Sequence, residues 1–217
     1  MKEQNYIFGY GSLIESESRL RTTPEAINVY PVVIKGLKRG WFARTGGNSL
    51  STTFLGCVID NESTVNGVIY KVNEDEIKKI DSREKGYSRK LINISNIQFL
   101  FDFKDDINMN IWVYLNEFEN LEELKKSSPN KDFPIVQSYV DICINGCLEI
   151  EANFEKAKEV NFTQMFIQTT KYWSEFWAND RIYPRRAFIY RPNANTIDGY
   201  LKTYLEDKNL FNKIYIE

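Results

Sequence analysis

Tyr6-Ile7-Phe8-Gly9-Tyr10-Gly11-Ser12-Leu13-Ile14 is the stretch whose reading decides the fold. A short apolar, aromatic run predicts a strand, and two glycines one residue apart break it into a tight turn. Glycine carries no Cβ, so its amide can approach a ligand closely and its φ is free to be positive. Successive N–H groups in such a turn converge on an anion as a nest, and Ser12 adds a hydroxyl at the rim. The loop suits a small carboxylate or phosphate, although an ordinary strand-to-loop turn is the plainer reading of these residues alone. Two commoner glycine loops are excluded. The dinucleotide fingerprint needs a third glycine where Ile14 stands, and an acidic residue about twenty positions on, where Asn28, Val29 and Tyr30 lie. The phosphate loop of nucleotide hydrolases needs Gly-Lys-Ser/Thr, which the chain lacks.

The chain of 217 residues has 42% hydrophobic residues, enough for a sizeable globular core. A single domain is expected, with a core over residues 5–148 and a C-terminal extension over 149–217. A formal charge of −2 provides no whole-molecule basic field for nucleic acid or an acidic membrane. Met1-Lys2-Glu3-Gln4-Asn5 leads directly into the first strand, and no apolar segment has signal or membrane length, so a cytoplasmic protein is expected. Cys57, Cys143 and Cys147 form no disulfide framework. The last two, four apart, belong on one buried helix face. There is no histidine. Ser-His-Asp and Cys-His mechanisms and imidazole-ligated metals are therefore excluded, and proton transfer must come from a carboxylate, lysine or tyrosine.

Along the chain, strands are predicted over 28–37, continuing through Gly40-Trp41-Phe42-Ala43-Arg44, with Gly36 as an end or bulge. Phe54 to Ile59 reads as another strand, Asp60-Asn61-Glu62-Ser63 as a turn, and Val65 to Val72 as its partner. Asn73 caps a helix, with Glu76 completing a capping box. Ile77, Ile80 and Glu84 then fall at i, i+3 and i+7, which turns Glu84 inward near the helix end, where Gly86 stops it. Residues 91–103 and 111–115 read as strands, with a polar turn at 105–108. Short and long helices follow over 121–126 and 136–148. Phe162, Met165, Phe166, Thr169, Trp173, Phe176 and Trp177 make a helical stripe, and a last strand is expected over Ala187 to Tyr190. Arg181, Arg185, Arg186 and Arg191 form a basic group that reads first as a solvated face.

Phe8-Gly9-Tyr10-Gly11-Ser12-Leu13 resembles the opening motif of the γ-glutamylcyclotransferase superfamily, which includes ChaC-like and AIG2-like proteins. Asp81-Ser82-Arg83-Glu84-Lys85-Gly86-Tyr87-Ser88-Arg89 is similar to that family's glutamate-bearing stretch, and the resemblance extends over residues 5–148. It implies an α+β fold built on a small mixed or antiparallel β-barrel flanked by helices, here with a helical C-terminal extension. It implies intramolecular cyclisation of a γ-glutamyl amino acid or peptide to 5-oxoproline, with no metal or other cofactor and a small molecule as partner. By the same resemblance Glu84 is the acid–base, and Gly9, Tyr10, Gly11, Ser12, Leu13 and Ile14 bind substrate. Tyr87 reads either as a hydroxyl partner or as core packing. Pro134-Ile135-Val136-Gln137-Ser138-Tyr139 is similar to a later family segment and adds Tyr139 as a substrate contact, with spacing that departs by one residue. A glutathione-specific ChaC-like enzyme and a non-catalytic binding module of the same fold are the rival readings. A further expectation is that one tail arginine reaches a distal substrate carboxylate.

Overall fold

A computed structural model describes residues 4–44, 52–84, 86–102, 108–181 and 193–216. The chain runs β1 (Gln4–Gly9), α1 (Ser16–Thr22), β2 (Val29–Arg44), β3 (Thr53–Val72), α2 (Glu74–Arg83), β4 (Tyr87–Leu91), β5 (Ile97–Phe99) and β6 (Met109–Asn116). It continues through α3 (Leu121–Lys126), β7 (Ile135–Val136), α4 (Gln137–Asn153), α5 (Glu155–Glu159), α6 (Phe162–Thr169), β8 (Trp177–Asn179), α7 (Ala194–Tyr204) and β9 (Tyr215–Ile216). Six strands form one sheet in the order β4-β6-β1-β3-β2-β5, and β7, β8 and β9 form a small parallel one. Among the described residues of the large sheet, only the β1 and β6 strands pair in parallel. The expected α+β class with a mixed, mostly antiparallel sheet is present. Its first motif lies near the middle of the sheet, where Ile7 and Phe8 are buried.

β3 runs past the end of β1, and its first half turns onto the end of β6. There Cys57 N–H donates to Asn116 Oδ1 at 3.1 Å, so the sheet curls in the manner of a barrel wall, with β4 and β5 at its two ends.

Three sequence expectations are corrected. Residues 54–59 and 65–72 do not pair with each other. Both pair with β2, as in Leu37 opposite Ile59 and Ile34 opposite Val65, and residues 60–63 bulge out between them. Gly36, at φ 88°, supplies the matching irregularity on β2. The strand expected over 91–103 is broken: β4 pairs with β6, whereas β5 pairs with β2 at the opposite edge. Asn93, whose side chain accepts from Ser95 N–H, caps the turn that separates them. Phe103 and residues 105–107 of the expected polar turn lie outside the described residues, as does the strand expected over 187–190.

The third correction concerns the aromatic stripe. α6 ends at Thr169, because Thr170 N–H and Oγ1 both bond back to the Phe166 carbonyl and Lys171 then joins β2. Trp173 and Trp177 lie beyond the helix, stacked on each other with centroids 5.3 Å apart. α7 was not foreseen.

The apolar interior lies on both sides of the sheet. α4 and α6 cover one side, where Cys143, Cys147, Phe162 and Phe166 pack with Trp41, Leu55 and Val68. α2 lies farther along the same face, on Ile7, Tyr70 and Tyr114 through Ile77 and Ile80, while Tyr6, Phe8, Val32, Ile69 and Ile111 pack on the other. Residues beyond 149 belong to the same interior: Phe166, Ile197 and Leu201 join the cluster that contains Ile14. Among the described residues, no helix is long and apolar enough to cross a membrane.

Candidate active site

β1 ends at Gly9, and the chain tightens into a single 3-10 turn over Ser12–Ile14. Ile14 N–H bonds to the Gly11 carbonyl at 3.0 Å and Glu15 N–H to that of Ser12 at 3.3 Å. The N–H groups of Ser12 and Leu13 precede the first of these bonds and have no acceptor within the turn. Gly11 sits at φ −136°, so its role there is not a positive φ but close approach. A Cβ on Gly11 would stand 3.0 Å from the Tyr139 hydroxyl.

Two buried guanidiniums hold this loop from behind. Arg19 donates to the carbonyls of Leu13 (3.2 Å), Ile14 (2.9 Å) and Ala26 (2.9 Å). Arg39, fully buried, donates to Tyr10 O (3.2 Å), Asn66 O (2.7 Å) and Asn66 Oδ1 (3.0 Å). It also reaches Phe166 O (2.8 Å) and the hydroxyls of Thr169 (3.0 Å) and Thr170 (2.8 Å). Every one of these acceptors is neutral, and burial pulls the Arg39 pKa down to about 10. Sequence reasoning missed both arginines: the Arg39 acceptors lie up to 131 positions away, and the Arg19 acceptors, though near in sequence, are backbone carbonyls that carry no residue signature.

α2 delivers the glutamate. Asn73 Oδ1 accepts from the N–H groups of Asp75 (3.0 Å) and Glu76 (2.9 Å), while Glu76 Oε2 accepts from Asn73 N–H (2.7 Å), which completes the expected capping box. Glu84 follows the last helical residue, its N–H still bonded to the Ile80 carbonyl. Gly86, at φ 94°, then lets the chain leave as β4. The Glu84 carboxylate accepts twice from Arg83 through Oε1, at 2.7 and 3.0 Å, and its side chain is 27% exposed. Asp81 is engaged elsewhere, accepting from the Tyr114 hydroxyl (2.6 Å) and pairing with Arg89 (3.0 Å).

One cavity of about 370 Å³ is lined by Gly9, Tyr10, Gly11, Ser12 and Leu13 together with Glu84, Tyr87 and Tyr139. Ile14 is not part of it: its side chain is 1% exposed in the core beneath α4, and its N–H is spent on the Gly11 carbonyl. The Tyr10 hydroxyl donates to the Tyr114 carbonyl (3.0 Å), and burial, followed by Cys57 and neighbouring phenols, pushes its pKa well above the ordinary value. Burial likewise raises the pKa of Tyr87, whose hydroxyl bonds to Asn116. Tyr87 N–H closes the turn onto the Glu84 carbonyl at 3.1 Å. Tyr139 packs edge-on against Trp41 and Phe54.

Lining residues not foreseen include Arg21 and Thr22 from α1, and Tyr70 and Tyr114 from strands flanking β1. The strand pairs were the signal for the tyrosines, since Tyr70 lies opposite Ile7. Arg181 does not line this cavity; it is held by Asp141 and Asp198. Arg185, Arg186 and Arg191 lie outside the described residues. Among the described residues, no three acidic or thiol groups gather as metal ligands.

No curated protein matches the chain in sequence. Among solved structures, a gamma-glutamyl cyclotransferase is 15% identical with a TM-score of 0.49, over 73% of this chain and 86% of that one. An uncharacterized protein from Homo sapiens is 16% identical with a TM-score of 0.48, over 74% and 88%. A yeast gamma-glutamyl cyclotransferase specific to glutathione is 12% identical with a TM-score of 0.45, over 75% and 96%. The sequence profile of one family, described as gamma-glutamyl cyclotransferase, AIG2-like, matches residues 7–133, more than half of the chain, and the chain belongs to that family.

Proposed function

We propose that the protein is a γ-glutamylcyclotransferase that converts a γ-glutamyl amino acid or peptide to 5-oxoproline and the free amine. The observation that carries this reading is that Glu84 and the Gly9–Leu13 turn line one cavity. In the reaction the substrate's α-amino nitrogen attacks its own γ-carbonyl carbon. A new C–N bond closes the five-membered ring, and the bond to the leaving nitrogen breaks; no water is consumed. Holding the substrate curled supplies much of the rate, because well-aligned intramolecular reactions reach effective molarities of about 10⁵–10⁸ M.

The proton is the remaining obstacle, since a free α-amine has a pKa of about 8 and is mostly protonated at neutral pH. Glu84 accepts that proton and returns it to the leaving nitrogen, and the second proton that the ring nitrogen loses as the lactam forms goes to the released amine, which departs as its ammonium. The loop amides and Ser12 hydroxyl cradle the glutamyl end, and the Tyr10 and Tyr139 rings wall it. A non-catalytic binding module is the second reading, favoured by the two hydrogen bonds that tie Glu84 to Arg83. The test is to incubate the protein with γ-glutamyl dipeptides, glutathione and a γ-glutamylamine and to measure 5-oxoproline. Ligand-induced thermal stabilisation without release from any of them would overturn catalysis in favour of binding.

A further inference from the structure

Beside the cavity that holds Glu84 lies a second, of about 500 Å³, and Thr22, Ile80 and Arg83 line both. The second is polar. Three carboxylates line it: Glu76 accepts from Asn73 N–H, Asp75 lies 3.5 Å from Lys78, and Glu25 stands on the segment between α1 and β2. Lys79 also lines it, one helical turn before Arg83, so α2 presents two cations to the same side. Arg83 thus stands at the shared wall with Glu84 on its fork, and its side chain is 45% exposed.

We propose that the second cavity receives the leaving group, that Arg83 and Lys79 select leaving groups bearing a carboxylate, and that this carboxylate draws Arg83 off Glu84 and frees the base. The inference rests on the role given to Glu84 above. A guanidinium offers five N–H donors in a planar fork, the geometry that matches a carboxylate, whereas an ammonium one turn away adds a mobile point charge. An ion pair as exposed as Arg83–Glu84 contributes little, so a second carboxylate displaces it readily. The leaving amine of a γ-glutamylamine carries no carboxylate into the second cavity and leaves Glu84 tied. The favoured substrates are therefore γ-glutamyl amino acids and peptides.

The experiment compares a γ-glutamyl dipeptide with a γ-glutamylamine of similar size. It reads kcat/KM in the wild type, Arg83→Gln, Arg83→Lys and Lys79→Gln, and dissociation constants by calorimetry for the same changes in a Glu84→Gln background. The expected result is a preference for the dipeptide of about tenfold or more, the size of one charged hydrogen-bonded contact. Arg83→Gln collapses that ratio toward one, while Arg83→Lys and Lys79→Gln each lower it in part. An unchanged ratio in Arg83→Gln overturns the proposal. Absence of 5-oxoproline from both substrates overturns the catalytic reading alone, because the calorimetric ratio still decides: equal affinities sink the carboxylate subsite, and a preference lost in Arg83→Gln supports it. If Arg83→Gln does not fold by circular dichroism, the Arg83→Lys and Lys79→Gln ratios decide in the same way.

Discussion

Gly11 and Tyr139 face each other so closely that a methyl group on the first would stand 3.0 Å from the hydroxyl of the second. The Tyr139 ring cannot simply retreat, because it is held edge-on between Trp41 (5.9 Å between centroids) and Phe54 (5.0 Å). Gly11→Ala should weaken binding of a γ-glutamyl ligand by about tenfold or more, since small misplacements of a positioning loop are costly. Tyr139→Phe removes the crowded oxygen and should recover part of that loss when combined with it. Calorimetry on the double-mutant cycle is the check: a coupling of at least about 0.5 kcal/mol is expected, and additive effects would refute the contact.

Glu84→Gln preserves size and hydrogen-bonding capacity but cannot take up the α-amino proton. Release of 5-oxoproline should fall by about 10²–10⁴-fold, the usual magnitude for a positioned acid–base, while the ligand still binds. Turnover near that of the wild type would end the assignment of Glu84.

Arg39→Leu should destabilise the protein by at least about 3 kcal/mol, because six hydrogen-bonded contacts lose their donor inside the core. Arg39→Lys should restore little, since one ammonium cannot span the positions that the fork reaches. Urea unfolding midpoints measure both, and a loss below about 1 kcal/mol for the leucine variant would show that the network is incidental.

Asn73→Ala should cost about 1 kcal/mol, and Asn73→Gly only a few tenths, as for other helix N-caps. The same denaturation series resolves the two. Both variants lack the side-chain bonds to Asp75 and Glu76, so a loss in neither would mean that these bonds contribute nothing to stability.

The local devices were legible. The capping box at Asn73, the stop at Gly86, the irregularity at Gly36 and the buried thiol face of α4 each depend on a few neighbouring residues. What was not legible depends on pairing at long range. Asp60-Asn61-Glu62-Ser63 has turn chemistry, but only the register against β2 shows that the chain bulges there rather than reverses. Trp173 and Trp177 keep a helical spacing that Thr170 and Lys171 interrupt by bonding elsewhere. Within the site, the two segments brought together were visible as motifs. Arg19 and Arg39 were not, because a buried arginine has no sequence mark until its carbonyl acceptors are known. Ile14 was grouped with its neighbours by motif, although the 3-10 turn rotates its side chain into the core.

The acceptors of Arg39 also bear on biogenesis. The family match ends at residue 133, yet the carbonyl and hydroxyls that Phe166, Thr169 and Thr170 offer to this cation lie well after it. A nascent chain that has emerged only that far already carries the glycine turn and the glutamate, but its central guanidinium still lacks half of its partners. Completing the network behind the glycine turn therefore requires α6 and the threonine that follows it.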